Sequence, residues 1–349
     1  MTDLRSLTLA QLEALCRELG WERYRAEQLF AWLWQKGARS FDEMTNIGKD
    51  RRGLLALRYT ADIPSPDRVV EARDGTTKFT FKLSDGEAVE SVFITDGDRR
   101  TVCVSTQAGC QLGCRFCYTA RRGFRRNLCW YEIGLQVLAV RQHVCERPIA
   151  NRQTPITNVV FMGMGEPFLN YDAVIEAIKV INHESGLGIG ARHITVSTAG
   201  IPEGIKAYSL FPLQTRLAVS LNATDDETRS LVMPVNRMHP LATLMAAVRE
   251  FTEAKDKRVT FEYVLLDGVN NREQDVRQLA RLLKGIQCKV NLIPLNPFPG
   301  CEFKPPPPES IEAFARRLWP LLPAVTVRKS KGSDILAGCG QLAGLDPPA

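Results

Sequence analysis

Residues 101–118 read TVCVSTQAGCQLGCRFCY: an apolar strand runs directly into a loop carrying Cys110, Cys114 and Cys117. TVCVST is short, β-branched and apolar, so it reads as a buried strand. A loop leaving the C-terminal end of such a strand is where a repeated β–α fold collects its chemistry. The C-x3-C-x2-C spacing lets three thiolates converge from one loop on one metal centre. A structural zinc ion takes four closed ligands, and no histidine or cysteine at finger-like spacing follows. A 4Fe–4S cluster held by three cysteines leaves one iron open, which S-adenosylmethionine can chelate through its amino and carboxylate groups. Zinc and three unrelated buried thiols are the competing readings of the same loop.

On the C-terminal side, buried-looking strands recur at NVVFMG, HITVST, RLAVSL, VTFEYVLL and KVNLIPL. Helical stretches such as WYEIGLQVLAVRQHV, LATLMAAVREFTEA and DVRQLARLLKG separate them. With TVCVST as the first strand this makes six β–α units, an α/β fold with parallel strands and helices outside. Six units are too few for a closed eight-stranded barrel. We therefore expect an open, partial (β/α)6 barrel over residues 107–330, with its site at the C-terminal strand ends. Gly186-Leu187-Gly188-Ile189-Gly190 imitates a dinucleotide-binding turn, but it follows the helical AVIEAIKVINH and precedes a strand, so it reads as a loop.

On the N-terminal side, residues 63–106 alternate with period two. The runs VVEAR, TKFTFKL, AVESVFI and TVCVST are separated by Asp74-Gly75, Asp85-Gly86 and Asp96-Gly97, strong hairpin signals. This predicts an antiparallel meander leading into the barrel. Residues 1–62 read as a small helical accessory domain, either a cover for one end of the barrel or an RNA-binding appendage. Thr8 and Gln11 form a capping box there, Gly37 ends a second helix, and Ser40 caps a short third element before the basic stretch GKDRRG. Residues 331–349, rich in glycine, read as a flexible tail.

The 349 residues are 44% hydrophobic and 24% charged with a net charge of +6, an ordinary soluble composition. The start has no basic stretch followed by an apolar run, and no segment resembles a membrane span. The expectation is a cytoplasmic protein with no membrane partner. Ten cysteines are too sparse for a disulfide scaffold, and the clustered three point to metal binding or catalysis.

The segment CVSTQAGCQLGCRFCYTARRGFRRNL resembles the cluster loop of the RlmN/Cfr family of radical S-adenosylmethionine enzymes, which methylate adenine in 23S ribosomal RNA. The likeness continues in order through ESVFI, FMGMGEPFLN, ITVSTAGIPEGI, LAVSLNATDDETRSLVMPVNR, FEYVLLDGVN, NLIPLNPFPG and GCGQLAG. It implies a radical-SAM partial barrel, one 4Fe–4S cluster on Cys110, Cys114 and Cys117, and two S-adenosylmethionine molecules per turnover. It also implies that Cys339 takes a methyl group from the first. A 5′-deoxyadenosyl radical from the second then activates that methyl for addition to adenine. Cys103 is implied to resolve the protein–RNA adduct by pairing with Cys339, with an external thiol reductant and an electron donor restoring the enzyme. Gly338 and Gly340 would let the Cys339 thiol swing into the site. Glu90 matches the family's proton acceptor. Gly165, Glu166, Ser197, Ser220, Leu221, Asn222 and Asn296 match its cofactor contacts. Asn222, where many relatives carry histidine, and Tyr118, bulkier than the family's small residue, depart from the pattern. Cys16, Cys129, Cys145, Cys288 and Cys301 are expected to be structural.

From Arg99 through Tyr131 there is no acidic residue, and seven arginines surround the cluster motif: Arg99, Arg100, Arg115, Arg121, Arg122, Arg125 and Arg126. Such a run is often a solvated face, but beside the site it would draw a phosphate backbone. The expected partner is 23S ribosomal RNA, with transfer RNA as a second substrate. Within the resemblance, the carbon-2 branch is favoured over the carbon-8 branch, and a non-catalytic zinc-bearing RNA-binding protein is the rival from another class.

Overall fold

The computed structural model describes residues 2–146 and 156–343. Ten strands form one sheet: β1 (Arg68–Glu71), β2 (Thr77–Lys82), β3 (Ala88–Asp96), β4 (Arg99–Cys103), β5 (Asn158–Phe161), β6 (Ile194–Thr198), β7 (Arg216–Ser220), β8 (Val259–Leu265), β9 (Cys288–Pro294) and β10 (Val325–Val327). Their spatial order is the chain order. Strands β1 to β4 pair antiparallel, and β4 to β10 pair parallel. Strand β4 is the pivot between the meander and the barrel. The three turns expected at Asp-Gly are where the hairpins bend, with Gly75, Gly86 and Gly97 at φ of 79°, 89° and 57°.

The barrel has seven parallel strands rather than six. The extra strand β10 is only three residues long and half-exposed, too short and too weakly apolar for the pattern to mark. The core is dominated by the branched residues of the central strands, among them Val196, Leu217, Val219, Phe261, Val290 and Leu292, all at most 1% exposed. That is the near-continuous apolar run of a strand covered on both faces. The glycine-rich segment 186–190 is a loop between the helix Tyr171–Asn182 and β6, as its context required.

The N-terminal unit contains α1 (Leu9–Glu18), opened by the Thr8–Gln11 capping box, and α2 (Tyr24–Phe30). The latter continues as a π-helical stretch over Ala31–Lys36 and closes on Gly37 at φ 68°. Ser40 precedes the turn Phe41–Glu43, but its side chain makes no capping bond. The basic stretch 48–53 starts α3 (Lys49–Arg58). Buried Arg5 ties the unit together by donating to the carbonyls of Leu33, Ala38 and Asp62. Fully buried Trp34 docks it on the barrel helix α4 (Trp130–Glu146), where a Cβ on Gly134 would lie 2.9 Å from the indole.

Residues 331–343 do not form a loose tail. Leu342, Ala343 and Gln341 are buried, and the segment is held from both sides. The Tyr118 and Ala343 amides donate to Gly340 O (2.7 Å) and Glu90 Oε2 (2.7 Å), and the Gln341 side chain donates to Pro297 O (2.6 Å). Gly344 and the residues after it lie outside the described residues. No helix among the described residues is long and apolar enough to cross a membrane.

Candidate active site

One cavity opens at the C-terminal ends of the parallel strands, and it gathers Cys103, Cys110, Cys114, Cys117, Gly165, Glu166, Ser197, Ser220, Asn222, Asn296 and Cys339. Leu221 and Glu90 do not line it. Leu221 is fully buried between two lining neighbours, and its carbonyl accepts from Arg229 Nε at 3.0 Å. Glu90 sits behind the wall, 2% exposed, with Oε1 3.0 Å from Lys78 Nζ and Oε2 accepting from the Ala343 amide.

The cluster loop is rooted by polar contacts at the end of β4. Gln136 on α4 accepts from the Ser105 amide (2.9 Å), and Asn170 donates to Thr106 O and Leu128 O (2.8 Å each). Burial pushes Cys110 up to about 12, and the Cys117 and Glu166 charges add to that. Cys114 and Cys117 are raised as well, first by burial. Three thiols facing one cavity, each too desolvated to ionise alone, suit a cationic centre that would convert them to thiolates. These are the residues that would hold a 4Fe–4S cluster. Among the described residues, no three histidine, cysteine or acidic side chains converge as a single-ion site.

Beyond the loop, Gly165 at φ 100° brings its backbone against Gln107, where a Cβ would lie 2.6 Å from the Gln107 Cβ. Its neighbour Glu166 is 2% exposed and accepts from the Ala199 amide (2.7 Å) and the Phe168 amide (3.1 Å). Burial nonetheless pushes its carboxyl up to about 7. Asn222 adopts φ 58°, with Oδ1 accepting from the Val264 amide at 2.8 Å, so this side chain bridges two strands. Tyr118 stacks on Phe298 with ring centroids 5.0 Å apart and does not crowd the cavity.

Cys103 and Cys339 are free thiols on the same cavity. Burial pushes Cys103 up to about 12, the Cys339 charge raises it further, and the Arg328 guanidinium opposes both. The glycines beside Cys339 are closely packed. A Cβ on Gly338 would meet the Asn296 amide at 2.8 Å, and one on Gly340 the Phe116 carbonyl at 3.2 Å. Asn296 donates to the Cys339 carbonyl at 3.2 Å. Of the remaining cysteines, Cys16 and Cys288 are buried, but Cys129 and Cys145 are exposed and packing does not account for them.

Three charged residues of the site escaped the sequence reading. Glu262 on β8 and Arg328 just past β10 line the cavity. Fully buried Arg229 donates to Ala199 O (2.6 Å), Ser220 O (3.2 Å) and Leu221 O (3.0 Å), joining two strand ends behind Cys114. The seven arginines around the cluster motif also divide. Arg115 pairs with Glu302, and Arg126 with Asp85 and Glu132. Arg99, Arg100, Arg121, Arg122 and Arg125 form no ion pair among the described residues.

The profile described as the radical SAM superfamily matches residues 104–283, and that of the ribosomal RNA large subunit methyltransferase N-terminal domain matches residues 2–60. The chain is 46% identical over 343 residues to the dual-specificity RNA methyltransferase RlmN of Pelobacter propionicus, covering 98% of this chain and 96% of that one. It is 44% identical over 342 residues to the protein of the same name from Syntrophus aciditrophicus, with the same coverage of 98% and 96%. The crystal structure of a radical SAM methyltransferase from Sphaerobacter thermophilus superimposes with a TM-score of 0.93 at 44% identity, over 99% of this chain and 100% of that one.

Proposed function

The chain belongs to the radical SAM superfamily and, within it, to the RlmN family of RNA methyltransferases, and on that premise we propose that it methylates carbon 2 of an adenine in 23S ribosomal RNA, with transfer RNA as a second substrate. The observation that carries this reading is that Cys103 and Cys339 open on the same cavity as Cys110, Cys114 and Cys117. An aromatic carbon within adenine's amidine system is electron-poor, weakly acidic and not a nucleophile, so displacement on a sulfonium methyl fails there and radical chemistry is required. A 4Fe–4S cluster held by the three loop cysteines would supply the electron for that chemistry when S-adenosylmethionine is bound. Gly165, Glu166, Ser197, Ser220 and Asn296 line the wall against which the cofactor would sit, two molecules serving each turnover.

The chain's own residues do the rest. Cys339 carries the methyl group on its sulfur, so the carbon to be joined to adenine arrives already placed in the cavity. Once that carbon is bonded to the base and the base has lost its carbon-2 proton, the Cys103 thiolate attacks the Cys339 sulfur and breaks its bond to the carbon, which keeps the electron pair and takes up a proton to become the methyl group. The resulting disulfide frees the methylated RNA, and an external dithiol reduces it by exchange. Glu90 is the candidate proton acceptor, and serving so requires it to reach the cavity from behind the wall, where its Oε2 accepts from the Ala343 amide. Unpaired Arg99, Arg121, Arg122 and Arg125 would draw the phosphate backbone, and the target base must leave its stack to enter.

The test uses anaerobically reconstituted full-length protein, S-adenosylmethionine labelled in the methyl group, a reductant and a ribosomal RNA fragment. The RNA is digested and the modified nucleoside identified by mass spectrometry. Labelled 2-methyladenosine that disappears in Cys339→Ala is the expected result. 8-Methyladenosine would move the protein to the other branch, and cofactor cleavage without any modified RNA would refute the substrate.

A further inference from the structure

Glu262 is a buried carboxylate with one oxygen unused. It is 5% exposed, and Oε1 accepts from Asn291 Nδ2 at 3.0 Å. Asn291 is itself fixed, its Oδ1 accepting from Thr326 Oγ1 at 2.6 Å. Oε2 has no hydrogen-bond partner, although Glu262 lines the cavity. A desolvated acceptor left unpaired costs free energy that a bound donor returns. Arg328 lines the same cavity, and its guanidinium makes no hydrogen bond or ion pair among the described residues. A buried acceptor and a free donor therefore face one space, each without a partner.

Their surroundings say which ligand they suit. Glu166 follows β5 and accepts from the Ala199 amide just past β6, whereas Glu262 lies on β8, Arg328 follows β10, and Asn296 just past β9 holds the Cys339 carbonyl. The cavity thus has one side at β5 and β6, with Glu166, and another at β8 to β10, with Cys339, Arg328 and Glu262. Any base attacked from Cys339 and released by Cys103 must occupy the second side. Along adenine's edge the order is carbon 2, then the N1 acceptor, then the N6 amino donor. Adenine's N1 acceptor and N6 donor complement the guanidinium donor and the carboxylate acceptor on this side.

We propose that Arg328 and Glu262 read the target base, the guanidinium donating to adenine N1 and Glu262 Oε2 accepting from the N6 amino group. The assignment rests on the proposed adenine methylation. It makes both side chains specificity-determining residues for a base that has left its stack. Such paired contacts to a base edge are worth roughly tenfold or more in discrimination. Inosine reverses both partners, placing N1–H toward Arg328 and O6 toward Glu262.

The test compares cluster-loaded wild-type protein with Glu262→Gln on two ribosomal RNA fragments that differ only in adenosine or inosine at the target position. In the variant, Asn291 retains the amide oxygen and the new amide NH2 faces the cavity, where it can donate to O6. Wild type should favour adenosine, and Glu262→Gln should shrink the adenosine-to-inosine ratio of methylation rates by about tenfold or more. Binding of S-adenosylmethionine, measured separately by equilibrium dialysis, should be unchanged within about twofold. An unchanged ratio overturns the proposal. Weakened cofactor binding at an unchanged ratio overturns it in favour of a cofactor contact. A wild-type protein that leaves the adenosine RNA unmethylated refutes the methylation itself, a failure distinct from the other two.

Discussion

Glu90→Gln separates two functions that one carboxylate holds together. In the folded chain Glu90 is 2% exposed and bonded to Lys78 Nζ at 3.0 Å, the lysine side chain being 12% exposed. Its second oxygen receives the Ala343 amide at 2.7 Å, so the charge also anchors the segment that carries Cys339. Glutamine keeps an oxygen for Ala343 but leaves the Lys78 ammonium without its counter-charge. Removing one member of a buried pair costs about 3–5 kcal/mol. Lys78 retains the Leu336 carbonyl at 3.4 Å and some water, which places the loss at the lower end. The part felt by the tail is the charge assistance to one hydrogen bond, about 2 kcal/mol, or up to roughly thirtyfold in the open population. Hydrogen–deuterium exchange of the peptide spanning residues 337–343, with residues 174–181 of the barrel as internal reference, reads that population directly. Exchange in the tail should accelerate five- to thirtyfold while the reference stays put. Tail exchange equal to wild type, even with activity lost, would refute the anchoring argument and leave proton transfer as the sole role of Glu90.

Glu166 gives a pH signature in cluster-free protein. Its folded pKa near 7 lies above the 4.5 of an unfolded glutamate, so the folded state holds the extra proton between those values. Its contribution is therefore full below about pH 4.5 and lost as pH rises through about 7, roughly 3 kcal/mol in all. Glu166→Gln should flatten the decline in urea-unfolding stability between pH 5 and 8; an identical decline would sink the assignment. Among the arginines, alanine at Arg121, Arg122 or Arg125 should weaken RNA binding and lower the salt slope by roughly one per residue. Arg126→Ala should instead destabilise the fold, because Arg126 links Asp85 to Glu132; equal salt slopes in the two sets would refute the division. Gly338→Ala drives a methyl group into the Asn296 amide and should lower thermal stability by about 1–3 kcal/mol, checked by calorimetry. A stability equal to wild type would restore the swinging-hinge reading of Gly338.

The residues legible in advance were those whose chemistry is carried by local spacing. The three loop cysteines, the Asp-Gly hairpins and the Thr8–Gln11 capping box each need only a few neighbouring residues to be recognised. Glu262 and Arg328 escaped because each sits in an ordinary strand context, and their meaning depends on which residues face them across the cavity. Arg229 is similar: its role is to gather carbonyls from two strand ends, Ala199 and Ser220, that are 21 positions apart in the chain. Glu90 shows the converse. The motif context marked it as chemical, but not that its carboxylate would face Ala343, 253 residues away. The glycine-rich tail misled by composition, since it is packed in place, with Gly338 close against Asn296 and Gly340 at φ 82° beside Phe116.

The same contacts explain why a four-stranded meander precedes the barrel. Seven parallel strands do not close on themselves, and β4, at the barrel's first edge, pairs with β3 rather than with β10. A seam is left beside Cys103 and Arg328, both of which line the cavity. A reactive radical intermediate needs water and stray donors kept out, so the seam must be covered. The C-terminal segment covers it, and it is fastened to both banks. On the meander side, the Gly332 amide donates to Asp74 at 3.1 Å, the Arg73 amide to Asp334 at 3.1 Å and the Ala343 amide to Glu90 at 2.7 Å. On the barrel side, Asn296 and Gln341 join residues 296–297 to residues 339–341, and the Tyr118 amide joins the cluster loop to Gly340. Cys339 is therefore carried on the piece of chain that closes the cavity. The meander supplies the second bank that this closure needs, so the placement of Cys339 and the exclusion of solvent depend on one docking event.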